Sequence, residues 1–146
     1  MATFERHVDV DWHGSVMEGK GEAKAGSGAF TLPVTFPARI GEPGGKTSPE
    51  ELIAAAHASC FAMALSSILA EHGHAPDAVR ASARVQLRNV DGAPTIARID
   101  LDVEGEVPGI DEEHFRQDAA EAKANCPVSR ALAGVPEIEL SARLAP

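Results

Sequence analysis

Two cysteines, Cys60 and Cys126, are the residues of this chain with the most chemistry to offer. In a reducing compartment a lone pair of cysteines rarely serves as a permanent disulfide, and their wide separation fits no compact metal-binding spacing. They are either inert core thiols or reactive ones. Cys60 falls near the middle of a predicted long helix, so a thiolate there needs a neighbouring cation or hydrogen bond; the ordinary alternative is a small buried hydrophobe. Cys126 precedes Pro127, a favourable first residue of a helix, which leaves its sulfur at the positive end of a helix dipole; the ordinary alternative is a structural cap. His57 lies one helical turn before Cys60 and can share its face, as a Cys-His nucleophile pair requires, although a histidine in that position is more often simply packed. A cysteine hydrolase built on them lacks an evident third, orienting residue. A zinc site made of His57, Cys60 and Cys126 needs a fourth group or water, and no other histidine has the spacing to help, so no metal is expected.

The elements that must position these groups follow from periodicity. Phe4, Val8, Val10 and Trp12 fall on one parity, the mark of a half-buried strand, and His13-Gly14 turns the chain. Ser15 to Ala25 and Gly28 to Phe36 read as two more strands around the tip Gly26-Ser27-Gly28, giving an antiparallel meander, and Ile40 to Lys46 reads as a loop. Ser48 then caps a helix, with Pro49 in its first turn and Glu51 three residues after the cap. That helix runs from Pro49 to about His72 and stops at Gly73. It is apolar nearly all round, as a central buried helix is. Ala81, Ala83, Val85 and Leu87 alternate with polar residues, and after Asp91-Gly92 so do Ile99, Leu101 and Val103, which predicts a second hairpin. Asp111 opens a helix with Phe115, Ala119 and Ala122 on one face. Cys126-Pro127 breaks it before a short helix to Ala133, and Ile138, Leu140, Ala142 and Leu144 end the chain as a strand. Consecutive helix-strand alternation is absent, so a single α+β domain over residues 1–146 is expected.

Composition bounds the partners. With 146 residues, 44% of them hydrophobic, the chain can build a core without metals or disulfides as staples. Thirteen Lys and Arg stand against 22 Asp and Glu, a formal charge of −9, which repels phosphate backbones and anionic lipid. Neither nucleic acid nor membrane is an expected partner. Glu5 and Arg6 interrupt the N-terminus before an apolar run develops, which points to the cytoplasm. Leu52 to Ala70 is long enough to cross a bilayer, but His57, Ser59, Ser66 and Ser67 favour a helix inside a globule.

The run SPEELIAAAHASCF, Ser48 to Phe61, resembles the signature of the OsmC and Ohr family, whose core helix carries a peroxidatic cysteine. ANCPVS, Ala124 to Ser129, resembles its second cysteine motif, and VPGI, Val107 to Ile110, resembles the OsmC branch. The resemblance extends over nearly the whole chain. It implies an OsmC-like fold, with antiparallel sheets around a long buried central helix and two chains intertwined as a homodimer. It also implies reduction of organic hydroperoxides as part of a stress response, with no bound cofactor and an external dithiol, such as a lipoyl group, as reductant. By motif match Cys60 takes the attacking role, Cys126 the resolving role through a Cys60–Cys126 disulfide, and Glu50 the carboxylate that holds an arginine. Arg39, in FPAR before the glycine loop, matches that arginine in the OsmC pattern; the Ohr branch takes its arginine from nearer the N-terminus, where this chain offers Arg6. As alternatives, Glu50 only favours the helix dipole and Arg39 is only a solvated loop charge.

Ten residues of helix span about 15 Å, so Glu50 cannot touch Cys60 along one helix, and any action at a thiol crosses a dimer interface. Alkyl hydroperoxides require a thiolate, a cation to stabilise it, and apolar walls for the organic tail. Cys60, Arg39 and the group Phe36, Phe61, Met63 and Phe115 are the candidates for these three needs. From another class, a non-catalytic redox sensor or ligand-binding protein using the same cysteine pair is the competing reading.

Overall fold

The computed structural model of the chain describes residues 2–146. It divides into two compact units, one ending at Leu52 and the other running from Ile53 to Pro146. In the first, strands β1 (Val8–His13), β2 (Lys20–Ala25) and β3 (Thr31–Val34) form an antiparallel meander in that order. Trp12 faces Gly21 across the β1–β2 ladder, and a Cβ on that glycine would stand 2.7 Å from the indole. The missing side chain is therefore what lets the ring approach β2 so closely.

Three expectations change in this unit, the first being that the strand expected from Ser15 begins only at Lys20. The period-two residues of β1 do share a face, but all six residues of the strand are exposed, because parity says which side chains point together and not what covers them. The stretch expected to remain strand as far as Phe36 ends at Val34. Phe36–Ile40 forms a short helix, α1, with Pro37 in its first turn and the Thr35 hydroxyl accepting a hydrogen bond from the Ala38 N–H at 3.3 Å.

The long helix α2 (Pro49–Glu71) begins where its cap signals place it. The Ser48 hydroxyl accepts from the Glu51 N–H at 3.2 Å. The reciprocal half of the capping box is diverted, since the Glu51 carboxylate accepts instead from the Thr47 hydroxyl at 2.8 Å. α2 is long and apolar enough to cross a membrane by length and composition. In the fold it buries one stripe, His57, Phe61, Leu65 and Leu69, whose four-residue spacing keeps them on one face. Its other side stays open within this chain: Met63 is 71% exposed, and Ala55, Ala56, Ser59 and Ser67 are exposed beside it. Apolarity all round thus marks a central helix without saying which of its faces the fold buries.

The second unit completes that stripe. Strands β4 (Ala78–Val90) and β5 (Ala93–Glu106) form the predicted hairpin, turning at Asp91 and Gly92 with φ of 51° and 84°, the left-handed pair a tight hairpin turn requires. A register shift between Gln86 and Leu87 adds a bulge with no sequence signal. The last strand, β6 (Glu137–Leu144), pairs with β5 in parallel, so this sheet is mixed rather than antiparallel. Parallel pairing is open to it because helices α3 (Glu112–Asn125) and α4 (Pro127–Ala131) form a crossover long enough to return the chain in the same direction. Phe115, on α3, is fully buried with Ile99, Leu101 and Val103 of β5. Gly105 makes room for it, since a Cβ there would lie 2.5 Å from the ring.

Candidate functional site

The two thiols are free and come together from α2 and from the α3–α4 break. Cys60 is partly buried and Cys126 fully so. The chain path explains the second. Asp111 caps α3 by accepting from the His114 N–H at 2.8 Å, the apolar face of Phe115, Ala119 and Ala122 seats the helix on the core, and Pro127 ends it and starts α4. Cys126 is left as the cap of α4, its own N–H donating to the Ala122 carbonyl at 2.8 Å.

The thiols differ in how readily they ionise. Burial pushes the Cys60 thiol up, its hydrogen bond with Cys126 pushes it further, and the Val128 N–H opposes them without prevailing. Burial would also raise Cys126, but the Ser129 N–H, the Cys60 thiol, the Ser129 hydroxyl and the Val128 N–H outweigh it and hold Cys126 below its ordinary value. Its sulfur makes no capping bond of full geometry, so these N–H groups act on it as nearby dipoles. Within the single chain, the easier thiolate is Cys126.

Behind the thiols, His57 Nε2 lies 2.7 Å from the Ser129 hydroxyl, with His57 fully buried and Ser129 nearly so. Burial keeps the imidazole below its usual basicity, so it rests neutral. Its Nδ1 has no hydrogen-bond partner among the described residues. An unpaired buried polar atom costs about 1–3 kcal/mol.

In the first unit Arg39, at the end of α1, meets Glu50, in the first turn of α2. Arg39 Nε donates to Glu50 Oε1 at 2.8 Å and Nη2 to Oε2 at 2.7 Å, a two-pronged pair that raises the guanidinium further above its ordinary value. The Glu50 side chain is 10% exposed and that of Arg39 30%, so one edge of the guanidinium remains open. Beside it is a cleft of about 230 Å³ lined by Trp12, Val16, Val34, Thr35, Phe36, Arg39 and Pro49. Arg6, the other arginine considered for this role, is exposed and donates to its neighbour's carbonyl, Glu5 O, at 2.6 Å.

Residues 41–141 match the OsmC-like protein family. The chain belongs to that family. It is 43% identical over 132 residues to the peroxiredoxin OsmC of Escherichia coli (strain K12), covering 89% of this chain and 91% of the relative. Its fold is that of solved OsmC and Ohr proteins. An organic hydroperoxide resistance protein OsmC from Legionella pneumophila superposes with a TM-score of 0.77 at 24% identity, covering 98% of this chain and 99% of that one. The organic hydroperoxide resistance protein OhrB of Bacillus subtilis gives 0.72 at 24%, covering 95% and 98%.

On this OsmC-like frame the sequence-derived candidates separate into those the structure gathers and those it does not. Cys60 meets Cys126, and Arg39 meets Glu50. Phe36 lines the cleft next to Arg39. Phe61 and Phe115 offer no face to a ligand in this chain, because both are wholly buried in the core of the second unit. Met63 lies on the open face of α2. His57, considered as a partner for Cys60, gives its Nε2 to Ser129 instead, which removes the basis for a Cys-His nucleophile pair. Among the described residues, the metal-type ligand atoms that converge, within 4.8 Å, belong to His72, Asp118 and Glu121 rather than to His57 and the thiols. There His72 Nδ1 and Asp118 Oδ1, 2.9 Å apart, tie the end of α2 to α3. Trp12 and Ser129 were not foreseen. Ser129 had a signal: three residues after a helix cap lies the position that faces back onto the cap.

Proposed function

We propose that this OsmC-family chain is a thiol-dependent peroxidase that reduces organic hydroperoxides to alcohols. The observation that carries this reading is the contact of two free thiols held on separate elements, one of them eased toward thiolate by the start of α4. The 43% identity to a peroxiredoxin supports it, as do the names of the Legionella and Bacillus proteins, which speak of organic hydroperoxide resistance.

In this mechanism the Cys60 thiolate attacks the outer peroxide oxygen. An S–O bond forms, the O–O bond breaks, and the departing alkoxide takes a proton to leave as an alcohol. Cys126 then attacks the resulting sulfenic acid, closing a disulfide and releasing water before Cys60 can oxidise to sulfinic acid. An external dithiol, for which a lipoyl group has suitable chemistry, returns both thiols by exchange.

The shift of Cys60 away from thiolate in the single chain is the reason the mechanism needs a cation. Arg39, held by Glu50, is that cation, and it reaches Cys60 from a second copy of the chain. The ten-residue step along α2 from Glu50 to Cys60 forbids contact along one helix. The open apolar face of α2 at Met63 and the exposed Val10 and Trp12 of β1 supply surface for such a copy to cover. The cleft beside Arg39, walled by Trp12, Val16, Val34 and Phe36, would then hold the organic tail.

Dithiol-dependent consumption of an alkyl hydroperoxide by wild type, Cys60→Ser and Cys126→Ser tests the proposal. Multiple turnovers are expected from wild type and none from Cys60→Ser. A wild type that oxidises once and never turns over would instead favour a redox sensor. Sedimentation tests the second copy, and a fully active monomer contradicts it.

A further inference from the structure

Each cysteine has a polar side chain one helical turn away, His57 before Cys60 and Ser129 after Cys126. These two polar groups bond each other at 2.7 Å, both buried within the second unit. The bond therefore ties the thiol-bearing part of α2 to the thiol-bearing start of α4. No step of the peroxidase cycle described above uses it.

The two possible directions of this bond differ in consequence. The Ser129 hydroxyl has a single hydrogen, and if His57 Nε2 accepts it, none remains for a sulfur. If Nε2 instead carries the imidazole proton, the ring donates to Ser129 Oγ and the hydroxyl hydrogen is free to turn onto Cys126. The unpartnered Nδ1 decides between the tautomers. Either a donor or an acceptor must go unsatisfied there, and orphaned buried N–H groups are the rarer of the two, which favours the proton on Nε2.

We propose that His57 and Ser129 form a positioning pair for the disulfide-closing step: Nε2–H donates to Ser129 Oγ, and the Ser129 hydroxyl donates to the Cys126 sulfur and holds it as the waiting thiolate. The step it serves rests on the peroxidase reading, while the hydrogen bonds do not. In that step the Cys126 thiolate attacks the sulfur of the Cys60 sulfenic acid. An S–S bond forms and the S–O bond breaks. Hydroxide leaves with the electron pair of the broken bond and takes a proton from solvent, matching the one Cys126 gave up. Cys126 sulfur is oxidised and Cys60 sulfur reduced, so no outside oxidant is needed.

Two measurements test the pair. The first is the ultraviolet thiolate absorbance of Cys126 at neutral pH in a Cys60→Ser background. The second is the lifetime of the Cys60 sulfenic acid after one equivalent of an alkyl hydroperoxide, read by trapping with a 1,3-diketone. Ser129→Ala and His57→Leu are expected to lower the thiolate signal and lengthen the lifetime about tenfold, with the rate of peroxide attack little changed. His57→Gln, whose amide keeps a donor near the Nε2 position, is expected to restore both readouts. The pair is overturned if Ser129→Ala leaves both at wild-type values, or if folded His57→Gln behaves as His57→Leu does. The absorbance arm uses no peroxide. A wild type that forms no sulfenic acid therefore counts against the peroxidase reading alone, and the absorbance still decides the pair.

Discussion

In the first unit two full charges meet, Arg39 and Glu50, through hydrogen bonds of 2.8 and 2.7 Å with one edge of the guanidinium open to solvent. In the second unit four groups gather that are neutral in their ordinary state: two thiols, a hydroxyl and an imidazole, buried or largely so. The charged pair is locked by mutual attraction and needs little from its surroundings. The neutral cluster depends on packing, because burial discourages the charged forms of both thiols and the imidazole, and only small dipoles, the Ser129 and Val128 N–H groups, the Cys60 thiol and the Ser129 hydroxyl, pull the other way at Cys126. The proposed peroxidase cycle draws on both kinds of chemistry, a fixed cation and a shielded pair of sulfurs.

The largest effect that can break this comparison comes from Cys60→Ser, which is expected to reduce steady-state peroxide turnover by on the order of a thousandfold or more while leaving the circular dichroism unchanged. Next comes Arg39→Lys. It keeps the charge but loses the two-pronged grip on Glu50, so a fall of about a hundredfold in kcat/KM for an alkyl hydroperoxide is expected. If the Arg39→Lys variant sustained full activity, the role of the fixed guanidinium would fail.

The remaining changes probe packing rather than charge. Phe115→Ala is expected to destabilise the second unit by about 3–5 kcal/mol in urea titration, since the ring is fully buried against β5. Gly105→Ala sharpens the same point with a smaller perturbation. The added Cβ would meet that ring at 2.5 Å, and a loss of about 1–3 kcal/mol is expected, against no measurable change in the Arg39–Glu50 pair. A neutral stability result for Gly105→Ala would mean the Phe115 ring yields more easily than its burial implies.

Much of this was legible in the sequence where the signal is local. Ser48, Pro49 and Gly73 mark the long helix, Asp91-Gly92 the hairpin, and Cys126-Pro127 the break that exposes a helix start. The family resemblance, not the spacing, set Glu50 beside an arginine ahead of any geometry, and Arg39 is the arginine it meets. What stayed hidden depends on pairing distant segments. Nothing in Glu137 to Leu144 announces a parallel partner, and nothing near His57 points 72 positions onward to Ser129. The even apolarity of α2 marks the central helix correctly but hides which face is buried, and the stripe through Phe61, Leu65 and Leu69 emerges only in the fold.

The central claim is that Cys60 and Cys126 act in succession on one peroxide. The most direct measurement is the intact mass of the wild-type chain after one equivalent of an alkyl hydroperoxide, with the alcohol product counted in parallel. A loss of two hydrogens per chain is expected, with a Cys60–Cys126 disulfide on peptide mapping and one alcohol for each chain oxidised. An unchanged mass with the peroxide left intact, or a lasting gain of oxygen with no disulfide, would contradict it.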